Sequence, residues 1–154
     1  MRLLDSKRVP YTATTYDEAG EFHTAEEAAE LLGVPLSAMY KTLVVLRDTA
    51  ARARPIVVMV PSDTELDLKL LAGSLGEKKL RMASQREAER LTGMQVGGIS
   101  VLGLRGTAFE LLIDKSARDL ETIHISAGER GTEIALRTED LVVLSGARYV
   151  VATG

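Results

Sequence analysis

Lys41 stands at the start of a strongly apolar segment, residues 41–46, where a solvated charge is unusual. An ammonium group at the end of such a strand can point into a cleft and hold a carbonyl or phosphate oxygen. It can also lose its proton through desolvation and act as a base. The alternative is a lysine that extends along a sheet edge and keeps its charge in water. Lys41 is therefore a candidate catalytic residue with a structural alternative beside it.

A glycine-rich segment, residues 92–103, is the second candidate for chemistry. It holds four glycines in twelve residues, with apolar residues between them. Gly97 and Gly98 can bring bare backbone N–H groups close to a ligand, and Ser100 adds a hydroxyl that donates and accepts. Tight turns without a ligand explain the glycines equally well.

Several other kinds of site have no support in the sequence. There is no cysteine, which excludes thiol nucleophiles, cysteine metal sites and disulfides. The two histidines, His23 and His124, lie far apart and form no metal-binding motif, so we expect packing or surface roles for them and no metal. No G-x-S-x-G elbow, P-loop or dinucleotide-binding glycine motif occurs. The sequence therefore gives no support for a metal site or a nucleotide cofactor.

Positive charge is concentrated in one segment of an otherwise acidic chain. The net charge is −3, so no overall field would draw the protein to nucleic acid. Residues 69–90, however, carry six basic and three acidic groups. A solvated helix face is the ordinary explanation, and contact with phosphates is the functional one. The candidates for phosphate contact are Lys69, Lys78, Lys79, Arg81, Arg86 and Arg90.

Length and composition favour one globular domain over residues 1–154. With 45% hydrophobic and 27% charged residues, the chain can form a core without disulfides. The longest apolar run, residues 56–60, is far shorter than the roughly 18 residues of a membrane span. The absence of cysteine is compatible with a reducing compartment, so we expect a cytoplasmic protein with no membrane partner.

The elements that would position these residues alternate between strands and helices. Thr24 and Glu27 form a capping-box pattern before an apolar helical stripe that ends at Gly33, and Ser84 with Glu87 forms another. The predicted strands are residues 9–16, 41–46, 55–60, 79–82, 109–113, 122–125, 133–136 and 148–151. The predicted helices are residues 25–32, 63–75, 84–91 and 138–144, with a further short helix after Pro35.

Two of these strands predict the centre of the fold. Segments 41–46 and 55–60 are nearly continuous apolar runs joined by a short Ala/Arg connector at residues 49–54. They are most simply a hairpin buried on both faces in the middle of a mixed sheet. We therefore predict an α/β domain with a mixed, barrel-like β-sheet and surrounding helices.

Four segments then occur in a recognisable order across residues 24–137. They are Ala-Ala-Glu-Leu-Leu-Gly-Val, Tyr-Lys-Thr-Leu-Val with Lys41, Thr-Gly-x-x-Val-Gly-Gly-Ile-Ser, and Ser-Ala-Gly-Glu-Arg-Gly. In this order the chain resembles the YbaK family, the prolyl-tRNA synthetase-associated editing domains. The resemblance covers about the whole length and implies the fold of that family. It also implies a freestanding hydrolase that removes a wrong amino acid from the 3′ end of tRNA.

The resemblance also implies roles for individual residues. Lys41 matches the family's key lysine, which is thought to organise the substrate end or the attacking water, with a tRNA hydroxyl assisting. Gly97, Gly98 and Ser100 match the loop around the terminal adenosine and ester, where backbone donors can stabilise an oxyanion. Tyr16 and Glu133 fall near positions where relatives carry an aromatic and an acidic residue. The implied substrates are small amino acids such as alanine, serine or cysteine, on proline-accepting tRNA among others, with prolyl-tRNA synthetase as a candidate partner.

One departure from the family pattern leaves a second function open. Val101 stands where the family loop commonly has proline, so the loop lacks that fixed φ angle. Together with the net acidity, this motivates the alternative of a non-catalytic module that binds tRNA or a synthetase. A small-molecule ester or amide hydrolase is a third hypothesis. Salt distinguishes it, because tRNA affinity falls steeply as salt rises.

Overall fold

The computed structural model describes residues 2–47, 54–106 and 108–154. The connector expected at residues 49–54 lies outside this part of the chain except for Arg54. The helices are α1 (Arg2–Ser6), α2 (Ala25–Leu32), α3 (Leu68–Leu75), α4 (Gln85–Thr92) and α5 (Thr138–Ser145). The strands are β1 (Tyr11–Thr15), β2 (Tyr40–Arg47), β3 (Ile56–Pro61), β4 (Leu80–Met82), β5 (Glu110–Asp114), β6 (Thr122–Ser126), β7 (Thr132–Arg137) and β8 (Arg148–Val150).

The described strands form two sheets. The larger sheet has the order β4-β2-β3-β5-β8, with β2 and β3 antiparallel at its centre and β5 and β8 parallel to β3. The smaller is antiparallel, with the order β1-β7-β6. The predicted hairpin at the middle of a mixed α/β sheet is thus confirmed. All six residues of β3 are buried, as its apolar sequence requires.

The barrel-like arrangement expected from the sequence is not found. In the described part of the chain, backbone pairing links the two sheets only at an isolated bridge between Met39 and His124, and neither sheet closes on itself. On its outer edge β2 is paired with β4 only at Val45–Arg47, so the first residues of β2, which pair with β3 on the other edge, have no described strand on this one. Apolar patterning identifies strands, but it does not state which sheet each strand joins.

Helix boundaries follow their caps. Thr24 with Glu27 and Ser84 with Glu87 form complete capping boxes, which confirms the predicted starts of α2 and α4. The expected helix at 63–75 begins only at Leu68, because the Asp67 side chain accepts hydrogen bonds from the first N–H groups of α3 and so caps it there. None of the described helices has the length and apolarity to cross a membrane.

Both faces of the larger sheet are buried, each against a different partner. One face packs on the smaller sheet, with Tyr40 and Val57 against Ile123 and Ile134. The opposite face packs on α3, where Leu71 is fully buried. This two-sided packing fixes the position of β2, and therefore of Lys41, relative to the smaller sheet.

Candidate active site

A cavity of about 240 Å³ lies between the start of β2, the end of the smaller sheet, α2 and the glycine-rich loop. Four residues singled out in the sequence line it: Tyr16, Lys41, Gly97 and Glu133. They come from four separate parts of the chain. Other surface depressions are larger, at about 440 to 500 Å³, but their walls include neither Lys41 nor Glu133. The chemistry of its wall therefore makes the smaller cavity the candidate site.

The free edge of β2 forms one wall of this cavity. The Val44 carbonyl accepts a hydrogen bond from the N–H of Ala83 on the β4 side. Backbone polar groups alternate between the two edges of a strand, so those of Thr42 point to the same side, beyond the end of β4 pairing. Among the described residues the Thr42 hydroxyl is buried with no hydrogen-bond partner. Lys41 and Thr42 thus line one cavity at the edge of β2 that has no described strand partner.

Glu133 supplies an acidic group from the opposite side. It lies on β7 and is only 5% exposed. Burial raises its pKa from 4.5 to about 7. Its side chain makes no hydrogen bond or ion pair with the described residues, and burial together with this carboxyl raises the pKa of Tyr16. Glu133 is therefore a carboxyl group poised to change protonation near neutral pH and to pair with a cation brought by a ligand.

His23 is a site residue that the sequence analysis missed. Its Nε2 lies 2.7 Å from a carboxylate oxygen of Asp17, and its Nδ1 lies 3.8 Å from one of Glu27. The hydrogen bond with His23 lowers the pKa of Asp17. The imidazole also meets the Tyr16 ring edge-on, with 5.7 Å between centroids. The histidine thus fixes the segment between β1 and α2 at the rim of the cavity. The other histidine, His124, is not on this wall, and burial lowers its pKa.

The glycine-rich loop closes a further side by close packing. Gly97 has φ +93°, and a Cβ there would lie 3.2 Å from the Phe22 ring. A Cβ on Gly98 would lie 2.7 Å from the backbone of Glu129 and Arg130. The Arg130 Nε donates to the Val96 carbonyl at 2.7 Å, which ties the loop to the β6–β7 turn. Both glycines are therefore needed for backbone approach.

Gly98 and Ser100 lie behind the cavity wall. The Gly98 N–H donates to the Gln95 carbonyl at 2.9 Å. The Ser100 hydroxyl accepts from the Leu102 N–H at 3.2 Å and so caps the 3₁₀ turn Val101–Leu104. In their place the loop presents Val96, Gly97 and Ile99 to the cavity. In this arrangement Gly98 and Ser100 shape the loop, and the Gly98 N–H is already engaged.

The basic segment lies along the same edge of β2 but outside the cavity. Arg81 on β4 pairs in register with Leu46, four residues from Thr42, which is about 13 Å along a strand. Both terminal nitrogens of Arg81 donate to the Glu87 carboxylate at 2.9 Å, and this contact lowers the pKa of Glu87 to about 2. The side chains of Lys69, Lys78 and Lys79 are exposed, as are those of Arg86 and Arg90.

The sequence analysis also missed Phe22, Thr42 and Ser126, which line the cavity. Ser126 lies within the Ser-Ala-Gly-Glu-Arg-Gly segment, and its hydroxyl donates to the Gly97 carbonyl at 3.3 Å. Thr42 directly follows Lys41, so the motif itself contained a signal. Phe22 and His23 precede the helix cap at Thr24 and carried no pattern of their own. In the described chain no group of three or more His, Cys, Asp or Glu side chains is placed to hold a metal ion.

Comparison with known proteins gives an independent indication of the family to which this chain belongs. The model of the aminoacyl-tRNA editing domain family matches residues 19–144, a range that holds every cavity residue except Tyr16. An Enterococcus faecalis protein named "Putative Cys-tRNA(Pro)/Cys-tRNA(Cys) deacylase EbsC" is 32% identical over 153 residues, which covers 99% of this chain and 91% of the relative. A proline–tRNA ligase of Nitratidesulfovibrio vulgaris is 36% identical over 84 residues, or 54% of this chain and 14% of the ligase.

Solved structures show the same fold. A hypothetical protein matches with a TM-score of 0.87 and 24% identity, covering 99% of this chain and 97% of that one. A structure described as a putative trans-editing enzyme for prolyl tRNA synthetase matches with a TM-score of 0.80 and 20% identity, covering 99% of this chain and 93% of that one. The four ordered motifs are confirmed as a true resemblance by the family match over most of the chain. The chain belongs to the aminoacyl-tRNA editing domain family.

Proposed function

We propose that this chain removes a small amino acid from mischarged tRNA in trans, with the ester held in the cavity beside Lys41 and Glu133. Membership of the family makes the chain an aminoacyl-tRNA deacylase. The observation that carries the finer proposal is that a lysine and an unpartnered, buried carboxyl group line one cavity from opposite sides. An aminoacyl ester brings groups that match both: ester and phosphate oxygens, and an α-ammonium.

The size of the cavity supports a small amino acid. Its volume of about 240 Å³ is below the range of roughly 300 to 1,000 Å³ typical of sites for drug-sized ligands. Ala25, Ala28 and Met39 form part of its apolar lining. A difference of one methylene between two substrates changes binding in such a pocket by only about 1 to 3 kcal/mol. We therefore expect modest discrimination between amino acids of similar size, such as alanine, serine and cysteine. The E. faecalis relative's name refers to cysteine, which fits this class.

The reaction requires only water and the groups described. Water, or a tRNA hydroxyl followed by water, adds to the ester carbonyl, and the ribose oxygen leaves with a proton, giving a free amino acid and tRNA. We assign to Lys41 the stabilisation of the oxygen that gains negative charge, because it is the one lysine or arginine among the described residues that line the cavity. We assign to ionised Glu133 the substrate's α-ammonium, which places the carbonyl next to Lys41.

We assign the tRNA stem to the β4 side of the larger sheet. Lys78 and Lys79 directly precede β4, and Arg81 on β4 bonds to Glu87. Lys69 lies on α3, which contacts β4. Phosphate contacts there would make the Michaelis constant rise with salt, since each contact releases bound counterions. The match to proline–tRNA ligases supports prolyl-tRNA synthetase as a candidate partner.

The test is release of labelled amino acid from alanyl-, seryl- and cysteinyl-tRNA, with proline-accepting tRNA included. The wild type is compared with Lys41→Ala and with the matched control Lys115→Ala, an exposed lysine that does not line the cavity. We expect Lys41→Ala to lose about 100-fold or more in kcat/KM. Its unfolding free energy should stay within about 0.5 kcal/mol of wild type. Full turnover by Lys41→Ala would refute its role.

One observation favours the non-catalytic alternative. The Gly98 N–H, an expected oxyanion donor, is already bonded to Gln95. A module of this kind would bind charged tRNA without releasing amino acid from any member of the panel. Binding at equilibrium without release would therefore replace the deacylase proposal, whereas release that depends on Lys41 would exclude the alternative.

A further inference from the structure

Phe22 is an exposed aromatic side chain at the mouth of the cavity. It is one of two phenylalanines in the chain, and it is 56% exposed, whereas Phe109 is buried. A large apolar ring in water is unfavourable by itself. Phe22 nevertheless lines the same cavity as Lys41 and Glu133. Its exposure therefore coincides with the opening through which a substrate must pass.

The ring is held in place from both ends of its segment. Upstream, the Asp17 carboxylate accepts from the N–H groups of Ala19 and Glu21. Downstream, His23 bonds to the same carboxylate, and Thr24 caps α2. The backbone around Phe22 is thus fixed by groups that do not depend on the ring itself.

The ring is also supported from the glycine-rich loop. The guanidinium carbon of Arg130 lies 5.3 Å from the ring centroid, a cation–π distance. The Arg130 Nε is fixed by the Val96 carbonyl, so the cation cannot swing away freely. A Cβ on Gly97 would lie 3.2 Å from the ring, so the absence of a side chain at position 97 makes room for it. The remaining ring surface faces solvent.

We propose that Phe22 is a stacking platform for the 3′-terminal base of the tRNA. The inference rests on the proposed function and adds to it a base-binding residue. Proteins hold unpaired bases by stacking them on aromatic side chains, and a guanidinium behind the ring adds to this arrangement. The aminoacyl ester sits on the ribose of the terminal nucleotide. A base stacked at the mouth would therefore direct the ester inward, towards Lys41.

The geometry favours the base over the amino acid as the partner of Phe22. The amino-acid part carries the α-ammonium that pairs with Glu133, which is only 5% exposed, whereas Phe22 stands at the rim. An aminoacyl group bound at the buried carboxyl leaves the nucleoside outside, at the level of the exposed ring. Stacking also tolerates any base, as suits an enzyme that acts on tRNAs with one common 3′ end.

The experiment uses short acceptor-stem RNA hairpins, chemically acylated with alanine, serine or cysteine, that end either in adenosine or in the same ribose without a base. Phe22→Leu keeps an apolar side chain and removes the ring, and Phe22→Tyr keeps the ring. Leu31→Ala is the matched control, because Leu31 is 58% exposed on α2 and does not line the cavity. The readouts are kcat/KM for release and the Kd of the uncharged hairpins.

For Phe22→Leu we expect kcat/KM on the adenosine-ended hairpin to fall by about 5- to 150-fold, the range for stacking of one base. The Kd for the uncharged hairpin should rise in parallel. On the abasic hairpin this variant should equal wild type, and Phe22→Tyr and Leu31→Ala should equal wild type on both RNAs.

Equal losses on both hairpins would overturn the proposal, because Phe22 would then only shape the cavity. No loss on either hairpin would overturn it as well. If the wild type releases no amino acid from any of these RNAs, the proposed function fails. The Kd values still decide the base-binding inference, which is refuted when Phe22→Leu leaves the preference for adenosine over the abasic end unchanged.

Discussion

Replacing Glu133 by glutamine removes a titrating carboxyl group while keeping the size and shape of the side chain. In the folded protein burial raises the pKa of this carboxyl from 4.5 to about 7. In the unfolded chain it returns to its ordinary value. Between those two pH values the folded state therefore binds more protons at this site than the unfolded state does. The unfolding free energy must depend on pH through this one group.

The sign follows from that difference in proton binding. The contribution of Glu133 to stability is fully present below pH 4.5 and is lost as the pH rises through about 7. At about 1.4 kcal/mol per pH unit, the whole change is about 3 kcal/mol, of which about 2.5 kcal/mol falls between pH 5 and pH 8. Glutamine has no such dependence. The quantity to compare is the unfolding free energy of Glu133→Gln minus that of wild type. This difference should be about 2.5 kcal/mol larger at pH 8 than at pH 5.

The assay is urea denaturation of both proteins at pH 5, 6, 7 and 8, analysed as the difference between variant and wild type. Every other titratable group is present in both proteins, so its contribution cancels in that difference. Glu121→Gln, at an exposed glutamate, is the control and should show no trend. At pH 8 the melting temperature of Glu133→Gln should rise by roughly 5 to 10 °C. A difference that stays constant from pH 5 to pH 8 would refute the buried, neutral carboxyl.

Two further substitutions test the walls of the cavity. Gly98→Ala places a Cβ 2.7 Å from the backbone of residues 129 and 130, and should lower the unfolding free energy measured in urea by about 1 to 3 kcal/mol. The control is Gly73→Ala, because a Cβ there meets open space in α3. It should leave the unfolding free energy unchanged or raise it by up to about 1 kcal/mol. Equal effects at the two glycines would contradict the close packing of the loop. Thr42→Val removes a buried hydroxyl that has no hydrogen-bond partner among the described residues. The variant should have an unfolding free energy about 1 kcal/mol higher than wild type and a lower rate of deacylation. A lower unfolding free energy would show that the hydroxyl is hydrogen-bonded.

The parts of the fold that the sequence predicted are those determined by local patterns. The capping boxes at Thr24 and Ser84 specify where α2 and α4 begin, because the cap is made by residues three apart. The apolar runs of β2 and β3 specify a buried central pair for the same reason. The predicted start of α3 was wrong by five residues, since the helix begins at Leu68, where the Asp67 side chain caps it, and not at residue 63.

The candidate site was only partly predictable, because its residues meet through long-range packing. Lys41 stood out by its apolar neighbours, and Glu133 only through the family resemblance. Gly98 and Ser100 were conspicuous as glycine-loop residues, yet their hydrogen bonds to Gln95 and Leu102 place them behind the wall. His23 and Phe22 look like ordinary residues before a helix cap. Nothing local indicates that this segment folds back over the loop at Gly97.

The separation of the two sheets explains why a cavity exists at this place. If β4 continued along the whole of β2, or if the sheets closed into a barrel, the edge groups of Thr42 would be paired and Lys41 would be confined to a strand interior. Instead β4 pairs only with Val45–Arg47, and in the described chain the backbone of the smaller sheet is paired to this end only at one isolated bridge. The unpaired stretch leaves polar backbone in a partly dry space, and a polar ligand can satisfy it. The departure from a barrel is therefore what provides room for a substrate between Lys41 and Glu133.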